Sequence, residues 1–139
     1  MIFTVENLCN GLIPTKKQED NLMKLCFALN TFFNVFGEDF RIVAGLLTKE
    51  GAIGKGEKEN SPLITGEAVI LEDKNFKLTK YIFNNIELLE RNGLFVKNPA
   101  MTVSKTLTQT VGEKSYMCNQ IFLQIKPASS VIFNENEEE

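Results

Sequence analysis

The chain has no histidine among its 139 residues, which limits the chemistry that its side chains can perform. Histidine is the usual general base near neutral pH and the commonest zinc ligand. Nucleophile activation by a Ser-His-Asp or Cys-His arrangement is therefore excluded. Three cysteines, Cys9, Cys26 and Cys118, form no C-x-x-C pair and indicate neither a disulfide framework nor a zinc knuckle. They fit a reducing compartment, with Cys26 as a small core residue.

Glu67, Glu72 and Asp73 form a small acidic cluster, and paired carboxylates can serve as general acid and base. Glu72 and Asp73 also follow an apolar run and precede a helical pattern. That position favours a structural role, in which the two residues end a strand and cap the next helix.

The segment TKEGAIGKGEKENSP, residues 48–62, has glycines and a lysine that partly resemble a phosphate-binding loop. Such a loop needs Gly-Lys followed by Ser or Thr at the start of a helix. Gly54 and Lys55 are followed by Gly56, so the sequence does not predict nucleotide binding. We expect a long surface loop without secondary structure.

The elements that position these residues follow from caps and apolar spacing. Thr4 can cap a helical turn over residues 5–9. Thr15 and Gln18 fit a capping box for a helix that we expect to run to about Phe36 and to stop at Gly37. Buried strands are predicted near residues 40–46 and at residues 65–72.

The residue pattern in the second half of the chain predicts one further helix and several strands. Leu78, Ile82, Ile86 and Leu89 form one apolar stripe over residues 76–93, and Gly93 ends that helix. A short strand at LFVKN, a hairpin that turns at VGEK, and the strand QIFLQIK follow. Along the chain, helices come first and between the early strands, and the strands that pair with each other come late. This order favours an α+β fold.

Phe27, Phe32, Phe33 and Phe36 occupy more than one face of the long helix. Core packing explains them in one interpretation. In the other, a partner subunit covers one side of the helix, because large apolar surface patches mark interfaces.

The order of elements and several motifs resemble the zinc D-Ala-D-Ala carboxypeptidase and phage endolysin family of peptidases. SPLITGEAVI, residues 61–70, is similar to the family motif S-x-H-x-x-G-x-A-x-D and keeps Ser61, Gly66 and Ala68. IVAGLLT, residues 42–48, is similar to the end of the family's first strand, I-T-S-G-Y-R-S, and keeps Gly45.

FLQIKP, residues 122–127, is similar to the family's strand W-V-H-V-S-Y, so the resemblance covers roughly residues 2–127. It implies a Hedgehog/DD-peptidase-like fold, in which helices pack on a small, mainly antiparallel sheet. Glycine and alanine at the retained positions serve a turn and the close approach of backbone segments.

The resemblance also implies that the catalytic metal site has been lost. The family's arginine after the first strand falls on Leu47, its first zinc histidine on Leu63 and its zinc aspartate on Ile70. Its last zinc histidine falls on Gln124, or on Leu123 if the register shifts by one. A catalytic zinc needs three protein ligands with lone pairs, which leucine and isoleucine lack. We therefore expect no catalytic residue, no metal and no cofactor, and a site filled by apolar side chains.

Length and charge predict one domain over residues 1–133 and an acidic, disordered tail over residues 134–139. Without the four glutamates of the tail, the net charge would change from −3 to +1. A nearly neutral body argues against nucleic-acid binding. We expect neither membrane insertion nor a secretory signal, because no apolar run of sufficient length occurs and residues 1–11 lack a basic region followed by a long apolar stretch.

These features favour a non-catalytic structural or assembly protein, which the resemblance extends to a bacteriophage virion component of the neck, tail or baseplate. The expected partners are other virion proteins or further copies of the chain, contacted through residues 48–62, residues 101–118 and the tail. We expect synthesis in the reducing cytoplasm of a bacterial host and a final location in the virion. Two alternatives stay open: a peptidoglycan peptidase with unusual ligands, and a module that binds peptidoglycan without cutting it.

Overall fold

A computed structural model of the chain describes residues 3–37, 41–96, 107–111 and 114–125. Within these ranges the chain forms six helices and five strands, and the predicted α+β class with a small antiparallel sheet is confirmed. The elements are α1 Val5–Leu8, α2 Lys16–Phe32, β1 Arg41–Ala44, α3 Lys49–Gly54, α4 Pro62–Thr65, β2 Ala68–Lys74, α5 Lys77–Asn84, α6 Ile86–Arg91, β3 Leu94–Val96, β4 Leu107–Val111 and β5 Lys114–Ile125.

The sheet is built around β5, which pairs antiparallel with three strands. Its order is β1-β2-β5-β3, and β4 forms a hairpin with the first half of β5. A hairpin was predicted here, but its second strand and the expected separate strand QIFLQIK are one continuous element. The predicted VGEK turn and the segment 101–106 include positions outside the described residues.

The main core lies between one face of the sheet and the helices α1, α2, α5 and α6. Alternate residues of β2 and β5 point to this face, because side chains alternate along a strand. The buried residues that form the interface include Val69, Leu71, Ile121 and Leu123 from the sheet, and Leu22, Leu25, Leu29, Phe32, Leu78, Ile82 and Leu89 from the helices. The expectation that Cys26 is a small core residue is confirmed.

The first two helices begin where their caps were predicted. The Thr4 hydroxyl accepts a hydrogen bond from the Asn7 amide at 3.0 Å, which starts α1. Thr15 and Gln18 exchange two bonds, of 3.1 and 2.8 Å, and complete the capping box of α2. Both caps satisfy amide groups that have no partner within the helix itself.

The end of α2 was predicted wrongly, because the helix stops at Phe32 and not near Phe36, so Gly37 does not end it. The Tyr81 hydroxyl donates a 2.7 Å hydrogen bond to the Phe32 carbonyl oxygen, which is one of the unpaired oxygens at the helix end. Phe33 and Phe36 continue as a turn, and their rings pack around Tyr81. A residue that is 49 positions away in the chain therefore stabilises the end of α2.

Two further predictions are corrected. Residues 48–62 are not a structureless loop, because Thr48 caps α3 through the Gly51 amide at 2.9 Å and Ala52 is fully buried. The predicted helix over residues 76–93 is divided into α5 and α6 at Asn85, whose backbone leaves the helical region. Ile86 consequently lies outside the apolar stripe and is 37% exposed.

The phenylalanines of the long helix do not share one environment. Phe32 and Phe33 are buried in the main core, and Phe36 packs against it. Phe27 is 74% exposed. Core packing therefore explains three of the four side chains, and Phe27 requires another explanation.

Candidate functional site

The structure brings Leu47, Leu63 and Ile70 together in one apolar cluster on the second face of the sheet. Leu63 is fully buried, and the other two side chains are buried as well. The cluster, which we call the second cluster, contains Ala44, Leu47, Ala52, Leu63, Ala68, Ile70 and Phe122. Helices α3 and α4 contribute Ala52 and Leu63, and the sheet and the residues after β1 contribute the rest.

Leu47 reaches this cluster because the chain after β1 packs closely on α1. A Cβ atom at Gly45 would overlap the carbonyl oxygen of Leu8, so only glycine allows this approach. The same oxygen accepts a 2.7 Å hydrogen bond from the Leu46 amide. The next amide, that of Leu47, donates to the Leu63 carbonyl oxygen at 3.1 Å and joins the segment to α4.

Leu63 is positioned by capping at both ends of α4. The Ser61 hydroxyl accepts a hydrogen bond from the Leu63 amide at 3.2 Å. At the other end, Gly66 adopts the left-handed conformation with φ of 82°, and α2 lies directly against it. Ser61 and Gly66 thus fix this short helix against the sheet and α2.

Gln124 lies beside the second cluster. Its partner across the β2–β5 pair is Ala68, and Ile70 pairs with Phe122 two residues away. Directly opposed residues share a face in an antiparallel pair, so the half-buried Gln124 is on the same face as Ile70. The four positions identified from the sequence therefore lie in one region. Of their four side chains, only that of Gln124 is polar.

The residues at these positions do not fit a zinc ion. Leu63 and Ile70 have no lone pairs to donate, and Gln124 offers only a neutral amide. Within the part of the chain that the structure describes, no three His, Cys, Asp or Glu side chains converge.

Side chains alternate between the two faces of the sheet along β2, so the neighbouring residues Asp73 and Glu72 point to opposite faces. Asp73 faces α5, where its carboxylate accepts bonds from the Leu78 and Thr79 amides at 2.7 and 2.8 Å. Glu72 faces the other side and pairs with Arg41, with an Nη2 to Oε2 distance of 3.1 Å. The prediction that Asp73 caps the next helix is confirmed, but the same prediction for Glu72 is wrong, because its carboxylate pairs with Arg41 on the other face. Glu67 lies just before the opposite end of β2.

Sequence reasoning did not identify Arg41 as the partner of Glu72. The two residues are 31 positions apart and meet only because β1 pairs with β2 in this register. The guanidinium contacts both carboxylate oxygens, at 3.4 and 3.1 Å. Glu72 lies on the sheet face that carries the second cluster, and no local pattern in the sequence could have revealed its pairing with Arg41.

The two cysteines whose side chains the structure describes are not activated nucleophiles. Burial raises the pKa of the Cys26 thiol to about 11. Burial, followed by the charges of Glu19 and Glu6, raises the pKa of the Cys9 thiol. Both thiols are therefore protonated at neutral pH, when the thiolate is the reactive form.

The described helices include none that is both long and apolar enough to cross a lipid bilayer. Comparisons with protein-family models, with curated proteins and with solved structures gave no significant match for the chain.

Proposed function

We propose that this chain is a non-catalytic structural subunit of a bacteriophage virion, in the neck, tail or baseplate. In this proposal it has a Hedgehog/DD-peptidase-like fold whose zinc site has been replaced by apolar side chains. The observation that carries the proposal is the second cluster, in which Leu47, Leu63 and Ile70 pack together. These are the positions where the resemblance puts a substrate-binding arginine and two zinc ligands.

The energetics of the second cluster favour a structural role over residual catalysis. Burying a leucine or isoleucine side chain contributes about 1.5–3 kcal/mol to folding. A histidine or aspartate at the same positions would have to be desolvated, and that cost is offset only when a metal binds. The residues present therefore stabilise the chain without a metal. Its function then depends on the outer surfaces, which suits a subunit that assembles with other virion proteins.

The two alternative functions make different demands on this region. A peptidase with unusual ligands would need lone-pair donors where Leu63 and Ile70 stand, and it would carry zinc after purification. A peptidoglycan-binding module would use the part of the same sheet face next to the second cluster, where Gln120 and Gln124 are half-buried. Elemental analysis and titration with muropeptides distinguish these two functions from the structural one.

The decisive experiment is quantitative mass spectrometry of virions purified from the phage that encodes the chain. We expect the chain at a fixed copy number relative to the major capsid protein through successive density-gradient steps. An abundant host protein of similar mass is the control, since its amount should fall at each step. Absence of the chain from the purified virions, or loss in parallel with the host protein, would falsify the structural role.

A further inference from the structure

A shallow, mostly apolar groove of about 510 Å³ lies between α2, the residues that follow α6 and the end of β5, at the margin of the main core. Its lining includes Met23, Lys24 and Phe27 from α2, Asn92 and Gly93 after α6, and Ile125 at the end of β5. Phe27 is 74% exposed and Met23 is 56% exposed. Exposed apolar side chains grouped in a concave surface mark an interaction site.

We propose that residues 131–133 of the chain's own C-terminal segment bind in this groove. The first reason is continuity, because Ile125 lines the groove and the segment 126–139 begins at the next residue. The apolar trio Val131, Ile132 and Phe133 follows Ile125 by six to eight residues. Six extended residues reach at most about 20 Å, and a helix with its side chains is about 10–12 Å wide. The trio is therefore far enough from Ile125 to reach the Met23 and Phe27 side chains of α2 across the groove.

The second reason is charge complementarity. Four glutamates follow the trio, at positions 135, 137, 138 and 139. Lys24 lines the groove, and Arg91 precedes the lining residue Asn92. Among the described residues neither cation takes part in an ion pair. An apolar trio followed by acidic residues thus matches an apolar groove whose lining contains the cation Lys24.

The same features favour the chain's own segment over a second copy of the chain. A symmetric contact between two such grooves would bring the Lys24 side chains of both copies together, and like charges repel. A tethered segment also has an effective concentration in the millimolar range, which a second copy does not have in dilute solution.

The test uses tryptophan fluorescence, because the chain has no native tryptophan. Phe27→Trp places a single reporter in the groove, in the chain of 139 residues and in a shortened chain that ends at Ser130. We expect the full chain to show a blue-shifted emission maximum and roughly threefold weaker quenching by acrylamide. Ile53→Trp is the matched control, because Ile53 is 50% exposed on α3, which packs on the opposite face of the sheet.

A charge reversal at Lys24 tests the electrostatic part of the proposal. In the full-length Phe27→Trp chain, Lys24→Glu should lower the ratio of docked to free segment by up to about fivefold, as expected for an exposed ion pair. Added salt should weaken docking in the parent and change the Lys24→Glu variant less. Light scattering on each sample reports whether the chain is monomeric, and circular dichroism reports whether it is folded.

Each outcome is decisive. The proposal is supported if the tryptophan of the monomeric full-length Phe27→Trp chain is protected from acrylamide quenching and shortening the chain removes this protection. The full-length and shortened Ile53→Trp chains should then be quenched equally. Equal quenching in the full and the shortened chain overturns it. The proposal is also overturned if protection rises with protein concentration and light scattering gives the mass of a dimer. That result would assign the groove to a second copy of the chain.

Discussion

Asp73 and Glu72 are neighbours in β2, yet their carboxylates have different partners on opposite faces of the sheet. Asp73 is 1% exposed and accepts hydrogen bonds from groups at the start of α5. Glu72 is buried as well, but it pairs with Arg41, whose side chain is 65% exposed. Hydrogen bonds to a buried charged group contribute more than an ion pair with an exposed partner. The two residues should therefore differ in their importance for folding.

We predict that Asp73→Asn lowers the free energy of unfolding by about 2 kcal/mol, because the amide group cannot accept all the bonds that the carboxylate accepts. Glu72→Gln keeps an acceptor for Arg41 and should cost less than about 1 kcal/mol. Both changes preserve side-chain size, so each is the control for the other. Urea unfolding followed by circular dichroism measures the two values. Equal losses, or a larger loss for Glu72→Gln, would show that the capping of α5 is not the dominant contact.

At the scale of elements, α4 is held between α2 and the sheet by a small number of polar contacts. The Gln18 side-chain amide donates to the Ile64 carbonyl oxygen at 2.9 Å, and the Asn21 amide donates to the Thr65 carbonyl oxygen at 3.0 Å. These bonds satisfy carbonyl oxygens at the end of a four-residue helix that has little stability of its own. The position of α4 therefore depends on α2, and Gly66 lies directly against Gln18 and Leu22 of α2.

We predict that Gly66→Ala costs about 3 kcal/mol or more, and that Gly56→Ala costs about 1–2 kcal/mol. Both glycines have left-handed φ angles, of 82° and 86°, so the conformational cost of alanine is shared. A Cβ at position 66 would lie 2.9 Å from the Gln18 carbonyl oxygen, whereas a Cβ at position 56 would meet nothing within 4 Å. The difference between the two variants in urea unfolding isolates the packing of α4 on α2. Similar losses would mean that this interface adjusts easily.

The sequence predicted those elements whose determinants are local. The caps at Thr4 and Thr15 depend on partners within three residues, and both were predicted. Helix α3 was missed because Gly51 and Gly54 lower its helix propensity. Its formation depends on the burial of Ala52 in the second cluster, which no local pattern reports. Tertiary contacts likewise explain why α2 ends earlier than its apolar spacing predicts.

At the scale of the whole molecule, the sheet is apolar on both faces. Val69 and Leu71 point to the main core, and Ala68 and Ile70 point to the second cluster. The continuous apolar run of β2 is consistent with this double burial. The residues of the second cluster come from five separate segments, so spacing along the chain could not have grouped them. Leu47, Leu63 and Ile70 were identified through the family resemblance, and Ala52 and Phe122 were not identified at all.

The resemblance itself can be tested by restoring the ligands that it implies. In a triple variant with Leu63→His, Ile70→Asp and Gln124→His, the three new side chains would share the face of the second cluster. We predict that this variant is destabilised without metal, because polar groups replace buried apolar ones. Zinc should then raise its melting temperature, since a ligand at 100 times its dissociation constant stabilises a protein by about 2.7 kcal/mol. Thermal unfolding with zinc and with a chelator measures the effect.

The control variant carries Leu63→His, Leu71→Asp and Gln124→His. It buries the same groups, but Leu71 belongs to the main core on the opposite face, so its aspartate cannot join the two histidines. Zinc should therefore stabilise the first variant and not the second. If neither variant folds without metal, both can be refolded with zinc. Elemental analysis then compares the amount of zinc bound per chain in the two variants. Equal responses of the two variants would contradict a zinc-peptidase ancestry of this site, while leaving the second cluster as a purely structural feature of the fold.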